Sequence, residues 1–236
     1  MLMRYSRLPA ESGRRVRGPS REVLWVLAAA VLGFAVTALF SGFLTLPRDG
    51  FVAIYALLVG SFMYGYIRWS QLDIRSFLLH HWGWGVIGAV AVGAIMVASV
   101  QRMPASPRPG GLVLAWDIFW LGIVYGVLDA LLLTVLPIAA IWRAFSTTGW
   151  TKHWPGKLAA GISAFAASLG VTAAYHLGYA EFRGSQVIDP LIGNGIMTLG
   201  ALLTGNPITA IVAHVALHVT SVLHGVETTV TLPPHY

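Results

Sequence analysis

The chain lacks cysteine and has few charged residues. None of its 236 residues is cysteine, which excludes disulfides, thiolate metal ligands and a thiol nucleophile. Asp, Glu, Lys and Arg make up only 10% of the sequence, against about 25% in an ordinary soluble protein. Apolar residues make up 56%, and the mean hydropathy is +0.72. So few charges would not cover a water-soluble fold of this size, so the composition excludes a soluble enzyme and indicates an integral membrane protein.

The positive net charge is concentrated at the N-terminus. Residues 1–22 hold six arginines against Glu11 and Glu22, whereas the other residues together carry a net charge of only about +2. This basic excess comes just before the first long apolar segment, which is typical of a membrane-topology signal rather than of a nucleic-acid surface. We therefore predict a basic cytoplasmic tail over residues 1–22 and no nucleic-acid partner.

Seven apolar segments approach the length of about 20 residues that a membrane-spanning helix needs. They cover residues 23–46, 51–67, 82–100, 112–142, 158–180, 191–203 and 207–223. The fourth is too long for one upright span, so it is expected to tilt, to protrude or to break near Pro137. The sixth is short, and is either a re-entrant element or a span completed by residues 186–190. The predicted fold is all-α, a polytopic transmembrane helical bundle of about seven spans, within a range of six to eight.

Lysine and arginine also predict the orientation. A cytoplasmic N-terminus places eleven of the fifteen basic residues on that side and four on the other, as the positive-inside rule favours. We expect a protein of the plasma (inner) membrane, surrounded by membrane lipids. The chain divides into the tail 1–22, three N-terminal transmembrane helices over 23–111, a transmembrane core over 112–224 and a C-terminal tail over 225–236.

Four ionisable side chains lie well inside the apolar segments and form the candidate site: Asp129, His176, His214 and His218. A charged group in lipid costs about 2.5–3.5 kcal/mol on insertion scales, so each of the four needs a partner or a function. The last two are four residues apart and therefore project from one helix face. The structural alternative is that each group only makes a hydrogen bond between helices. The remaining polar candidates, which are placed at membrane interfaces, are Asp117, His224, His80 and His81.

The order of these residues resembles the CPBP (Abi) intramembrane proteases, which include CAAX prenyl endopeptidases and bacteriocin-processing proteins. Their motifs EExxxR, FxxxH and HxxxN are similar to residues 126–134, 172–176 and 214–218 of this chain. His176 and His214 match the family pattern. The substituted positions are Asp129 and Ala130 for the two glutamates, Thr134 for the arginine, Thr172 for the phenylalanine and His218 for the asparagine.

The resemblance implies a peptidase that cleaves at or in the membrane, with a membrane protein or peptide as substrate and no cofactor requirement. It implies that Asp129 is the base that activates a water and that His176 is its partner. The two remaining histidines, His214 and His218, would stabilise the oxyanion or bind a metal ion.

Two alternatives remain open. The missing arginine removes a charge partner that would keep the carboxylate ionised, which favours a non-catalytic membrane scaffold or a subunit that binds partner subunits. Alternatively, three histidines and one carboxylate form a suitable zinc ligand set, consisting of Asp129, His176, His214 and His218. A zinc-dependent membrane lipid amidase, similar to the alkaline ceramidase and progestin-receptor-like hydrolases, is therefore the third interpretation.

Overall fold

The structure is a computed structural model that describes residues 18–225 and residue 232. The tail predicted over 1–22 therefore falls largely outside the described residues, as does most of the tail predicted over 225–236. Every regular element between residues 18 and 225 is helical. The eight helices are α1 (Pro19–Phe43), α2 (Arg48–Ser70), α3 (Ile74–Leu79), α4 (Trp82–Gln101), α5 (Gly111–Thr147), α6 (Trp154–Leu177), α7 (Ser185–Thr204) and α8 (Ile208–His224).

The predicted all-α bundle of membrane-spanning helices is confirmed. Within the described part of the chain, six helices are long and apolar enough to cross a membrane, and the apolar helix α8 is slightly shorter. These seven helices correspond to the seven expected segments. The doubtful sixth segment is extended at its N-terminal end, because the 3₁₀ turn Ser185–Val187 leads directly into the helix Ile188–Thr204. The alternative in which residues 186–190 complete the span is therefore the one observed.

Local sequence signals explain where several helices begin and end. Pro19 and Pro155 occupy the first turns of α1 and α6, where a missing backbone N–H costs nothing. The short α3 begins after Asp73, whose side chain accepts a hydrogen bond from the Ser76 amide at 3.2 Å as an N-cap. Gly205 ends α7 with a positive φ of 65°, which glycine adopts without strain.

Helix α5 is the centre of the bundle and continues past Pro137 without a break. Of its 18 most apolar consecutive residues 78% are buried, whereas the corresponding share in the other five long helices is 28–39%. Its 37 residues extend over about 55 Å, so it exceeds the roughly 30 Å of hydrocarbon in a bilayer. Two π-helical stretches, Ile118–Val124 and Ala130–Val135, interrupt its regular α-helical hydrogen bonding.

A serine from α6 compensates for the proline inside α5. Pro137 has no backbone N–H, so it takes one donor away from the carbonyl oxygens of the preceding π-helical turn. The Ser168 hydroxyl donates to one of these oxygens, that of Leu133, at 2.6 Å. Neighbouring side chains are expected to satisfy such freed backbone groups within a membrane, so α6 allows the long helix to remain continuous.

Candidate functional site

The four predicted site residues line one cavity of about 310 Å³. It lies between α4, α5, α7 and α8, and α6 contributes His176 to its wall. Asp129, His176, His214 and His218 are all buried. Most other wall residues are apolar, and they include Ile95, Met96, Leu133, Ile196, Met197 and Leu217. Three helices that are distant in sequence thus bring four ionisable groups to one apolar cavity.

The aspartate is held from two sides. Asp129 is the last residue of a short α-helical stretch between the two π-helical stretches of α5. Its Oδ1 accepts a hydrogen bond from the Tyr55 hydroxyl at 2.9 Å. Its Oδ2 lies 3.3 Å from Nε2 of His218. The carboxylate therefore has one neutral donor from α2 and one imidazole from α8.

The sequence interpretation made His176 the partner of Asp129, whereas the structure places His218 beside it. The two groups are close enough for an ion pair, but they are not aligned for a hydrogen bond, and neither ring nitrogen of His218 has a hydrogen-bond partner within the described residues. The ring packs against that of Tyr125 in a T-shaped arrangement, with 4.7 Å between ring centroids. His218 is thus a fully buried imidazole whose closest polar neighbour is a carboxylate.

The other two histidines are each tied to their own helix in the same way. Nδ1 of His176 lies 2.9 Å from the Thr172 carbonyl oxygen, and Nδ1 of His214 lies 2.9 Å from the Ala210 carbonyl oxygen. A carbonyl oxygen only accepts, so Nδ1 must carry the proton in both rings. In a neutral imidazole this leaves Nε2 as an acceptor, which suits a base or a metal ligand.

A hydrogen-bond network of hydroxyls and one amide lies beside His176 and includes Thr172, the residue whose carbonyl oxygen binds that histidine. The sequence did not predict this network. Asn194 on α7 donates to the Ser168 and Thr172 hydroxyls at 3.0 and 2.6 Å and accepts from Thr134 at 2.8 Å. Its three polar contacts leave the amide well satisfied, so Asn194 fixes the position of α7 against α5 and α6. The only sequence signal was one amide in a glycine-rich apolar segment.

Four buried tyrosines form a second unpredicted feature around Asp129. The hydroxyl of Tyr175 lies 2.6 Å from that of Tyr125 and 2.9 Å from that of Tyr179. Tyr55 packs its ring against Tyr125 and Tyr175 at centroid distances of 5.5 and 5.6 Å. Tyr125 precedes Asp129 by one helical turn and was detectable from that spacing. Tyr55 was not, because its position depends on how α2 packs.

The glycine pair Gly122 and Gly126 brings α5 and α8 into close contact, because small residues allow helix backbones to approach each other. A Cβ atom added to Gly126 would lie 3.0 Å from the Cα of Val215, and one on Gly122 would lie 3.1 Å from the Cα of Val219. Val215 lies between His214 and His218 in the chain. The close approach therefore sets the distance between Asp129 and the histidines of α8.

One side of the cavity faces the surface that lipid would cover. Ile95 on α4 and Ile192 on α7 both line the cavity, and their exposed fractions are 49% and 57%. At the same rim lies the exposed carboxylate of Asp189, in the first turn of α7. The cavity thus has an apolar margin between α4 and α7.

A second buried polar cluster lies at the end of the bundle where α1 begins. Glu22 was assigned to the basic tail, but it lies within α1 and is only 2% exposed. Its carboxylate accepts hydrogen bonds from Arg143 at 3.0 Å and from the Tyr66 hydroxyl at 3.2 Å. Arg143 also donates to the Ser70 carbonyl oxygen at 2.7 Å. The cluster joins α1, α2 and α5.

The remaining polar candidates lie outside the cavity wall. His224 has its Nε2 2.7 Å from the Met103 carbonyl oxygen, and the rings of His80 and His81 lie 4.0 Å apart next to the start of α4. Asp117 ends the first turns of α5, of which no residue is buried. The interfacial positions that the sequence predicts for these residues stay predictions.

No group of three or more histidine, aspartate or glutamate side chains arranged to hold a metal ion occurs among residues 18–225 and 232. The zinc site suggested by the sequence therefore stays a prediction.

Comparisons of the chain with protein families, with curated proteins and with solved structures found no match.

Proposed function

We propose that the protein is a membrane-embedded hydrolase of the CPBP type, which cleaves peptide bonds of membrane proteins or peptides at the membrane. The observation that supports this most strongly is the convergence of four buried side chains, Asp129, His176, His214 and His218, on one cavity. Ionisable groups are rare inside membrane helices and usually mark a functional site. A single hydrogen bond between helices needs only two polar side chains. This cavity gathers four ionisable ones, from three helices that are far apart in the sequence.

The proposed base is the pair formed by Asp129 and His218. With the carboxylate ionised, Oδ2 favours a proton on Nε2 of His218, 3.3 Å away. The ring then presents Nδ1 as an unprotonated acceptor, in the way that a buried aspartate sets the tautomer of a catalytic histidine. This arrangement gives the aspartate an orienting role, and it makes the histidine the group that receives the proton of a water molecule.

Hydrolysis of the peptide bond by this pair consumes only water. His218 takes a proton from water, and the resulting hydroxide oxygen bonds to the carbonyl carbon of the scissile peptide. The carbon–nitrogen bond then breaks, and the proton passes from His218 to the departing amine. Asp129 stabilises the transient imidazolium throughout.

The roles of the other two histidines follow from their tautomers. Neutral His176 and His214 present acceptor nitrogens, because their Nδ1 protons are bound to backbone carbonyls. The attacking water gives one hydrogen to His218, so its other hydrogen can be bound by one of these two acceptors at a time, and neither acceptor can donate to an oxyanion. We therefore assign positioning of this second hydrogen to the pair, in place of the oxyanion role that the family resemblance implies for His214.

Comparison of protein N-termini in membranes tests this proposal. Membranes of a host lacking the chain are complemented with the wild type, with Asp129→Asn or with the control Asp117→Asn, and new N-termini are identified by mass spectrometry. We expect a set of cleaved membrane proteins with the wild type and the control that is missing with Asp129→Asn. Identical sets in all three membranes would refute the hydrolase, and stoichiometric co-purifying proteins would then support the scaffold.

A metal test separates the zinc-dependent lipid amidase from this proposal. The Asp129 and His218 pair needs no metal, so peptide cleavage should persist after dialysis against a chelator. Loss of activity that added Zn²⁺ restores, together with release of fatty acid from membrane lipids, would instead establish the amidase.

A further inference from the structure

Tyr55 makes the hydrogen bond that fixes one oxygen of the Asp129 carboxylate. Its hydroxyl donates to Oδ1 at 2.9 Å, and its side chain is fully buried. The ring stacks on Phe51 with 5.9 Å between centroids, and it also packs against Tyr125 and Tyr175. Tyr55 is therefore a donor whose position is set by packing on three sides.

This contact fixes the plane of the carboxylate relative to His218. The terminal torsion of an aspartate side chain is broad, so nothing within Asp129 itself fixes that plane. The bond to Tyr55 holds Oδ1 on the side of α2, and it leaves Oδ2 towards Nε2 of His218 on α8. The carboxylate thus lies between a fixed donor and the imidazole.

We propose that Tyr55 is a positioning residue of the site: by holding Oδ1 of Asp129, its hydroxyl directs Oδ2 at His218 and sets the tautomer of that histidine. This inference rests on the proposed function, in which His218 receives the proton of water. It also places a required residue on α2, outside the segment 112–224 that resembles the CPBP family. Groups that orient a catalytic side chain in this way act by preorganisation.

The same helix offers a matched control. Tyr66 lies eleven residues after Tyr55, which brings it to the same face of α2, and it is equally buried. Its hydroxyl also donates to a buried carboxylate, that of Glu22. Tyr66→Phe therefore removes the same chemical group from a similar environment without touching Asp129.

The test is the nuclear magnetic resonance spectrum of ¹⁵N-labelled histidine in the full chain, with the His218 signals assigned by His218→Gln. In the wild type and in Tyr66→Phe, we expect His218 to carry its proton on Nε2. In Tyr55→Phe the released carboxylate should allow both tautomers, and 4-aminophenylalanine at position 55, which keeps a donor, should restore the single form. A His218 spectrum that is the same in Tyr55→Phe as in the wild type would overturn the proposal.

A second measurement applies if Tyr55→Phe does not fold. With ¹³C-labelled tyrosine, the Tyr55 ring signal should shift in Asp129→Asn and stay in place in Glu22→Gln, whereas the Tyr66 signal should do the reverse. A Tyr55 ring signal that has the same chemical shift in Asp129→Asn as in the wild type would refute the contact between Tyr55 and Asp129.

The activity readout separates this inference from the proposed function. The substrate is one identified by the mass-spectrometric comparison of protein N-termini. On this substrate Tyr55→Phe should lower kcat on the order of 10- to 100-fold with little change in KM, whereas Tyr66→Phe should leave kcat unchanged. Equal kcat values in the wild type and Tyr55→Phe would overturn the positioning role. A chain that cleaves nothing but shows the expected spectra would refute the hydrolase and retain the contact of Tyr55 with Asp129 and His218.

Discussion

Glu22 and Arg143 form a buried ion pair whose two members depend unequally on each other. The carboxylate is almost completely shielded, whereas the arginine side chain keeps 24% of its surface exposed. Among the described residues, removal of the arginine would leave a buried carboxylate with the Tyr66 hydroxyl as its remaining side-chain donor. An uncompensated buried charge is more costly than the loss of the pair's own attraction.

We therefore expect Arg143→Ala to destabilise the protein by roughly 2–4 kcal/mol, towards the lower part of the range because Arg143 is partly solvated. The control Arg68→Ala changes an exposed arginine at the end of α2 and should alter stability by no more than about 0.5 kcal/mol. Unfolding in a detergent titration measures both. Equal midpoints for the two variants would show that the pair contributes nothing.

A second prediction concerns the Leu133 carbonyl in the turn before Pro137, which has no N–H to donate. Ser168→Ala removes the hydroxyl that donates to the Leu133 oxygen and should cost about 1–3 kcal/mol, the penalty for an unsatisfied buried polar group. In a Pro137→Ala background the new N–H can reach the same oxygen, so the cost should fall. A double-mutant cycle on the unfolding midpoint gives the coupling, and strict additivity would contradict the proposed compensation.

The residues of the site differ in how far the sequence could reveal them. Asp129 and His218 were found because an ionisable group inside an apolar helix is conspicuous in the sequence alone. Tyr55 and Asn194 were not, because tyrosine and asparagine have many roles in membrane helices and only the packing of α2 and α7 gives them theirs. The choice of His218 over His176 beside Asp129 likewise depends on the relative depth of the helices, which composition does not determine.

Contacts between helices depend on side-chain size where α5 crosses α8. The backbone of Val215 packs against Gly126, which lies only three residues before Asp129 in the chain. Small residues at such crossings allow the backbones to approach closely. The distance between the two helix axes therefore sets the distance between the side chains of Asp129 and His218.

We predict that Gly126→Ala pushes these helices apart, since its Cβ would meet backbone atoms of Val215 at 3.0 and 3.1 Å. The expected cost is about 1–3 kcal/mol of stability, together with a loss of cleavage activity. Gly161→Ala on α6 is the control, because no atom lies within 4 Å of its added Cβ, and it should be neutral or stabilising by up to about 1 kcal/mol. Thermal unfolding and the N-terminal comparison measure the two effects, and an active, equally stable Gly126→Ala protein would contradict this view of the crossing.

We predict that all seven apolar helices cross the membrane, which would put the two ends of the described chain on opposite sides. An up-and-down order of these helices would then place Ser20 and Thr148 on one side and Ser185 on the other, and charge distribution predicts that the first side is cytoplasmic. The helices themselves were predictable because about 20 consecutive apolar residues are an unambiguous pattern. The start of α7 was ambiguous because polar residues mark its first turn.

Single cysteines test this arrangement without background, because the natural chain contains none. In intact cells, a membrane-impermeant maleimide should label Ser185→Cys but label Ser20→Cys and Thr148→Cys only after permeabilisation. Labelling of Ser185→Cys and Thr148→Cys from the same side would exclude a transmembrane α6. Labelling of all three in the opposite pattern would invert the orientation and leave the span count intact.

The two tyrosines of α2 give that helix a further property. Tyr55 and Tyr66 are bound to carboxylates of different helices, Asp129 of α5 and Glu22 of α1, and they lie about 16 Å apart along the axis of α2. If α2 rotated or slid along its axis as a rigid helix, at least one of these two hydrogen bonds would break. Helix α2 therefore couples the position of Asp129 along the bundle axis to the position of Glu22 on α1.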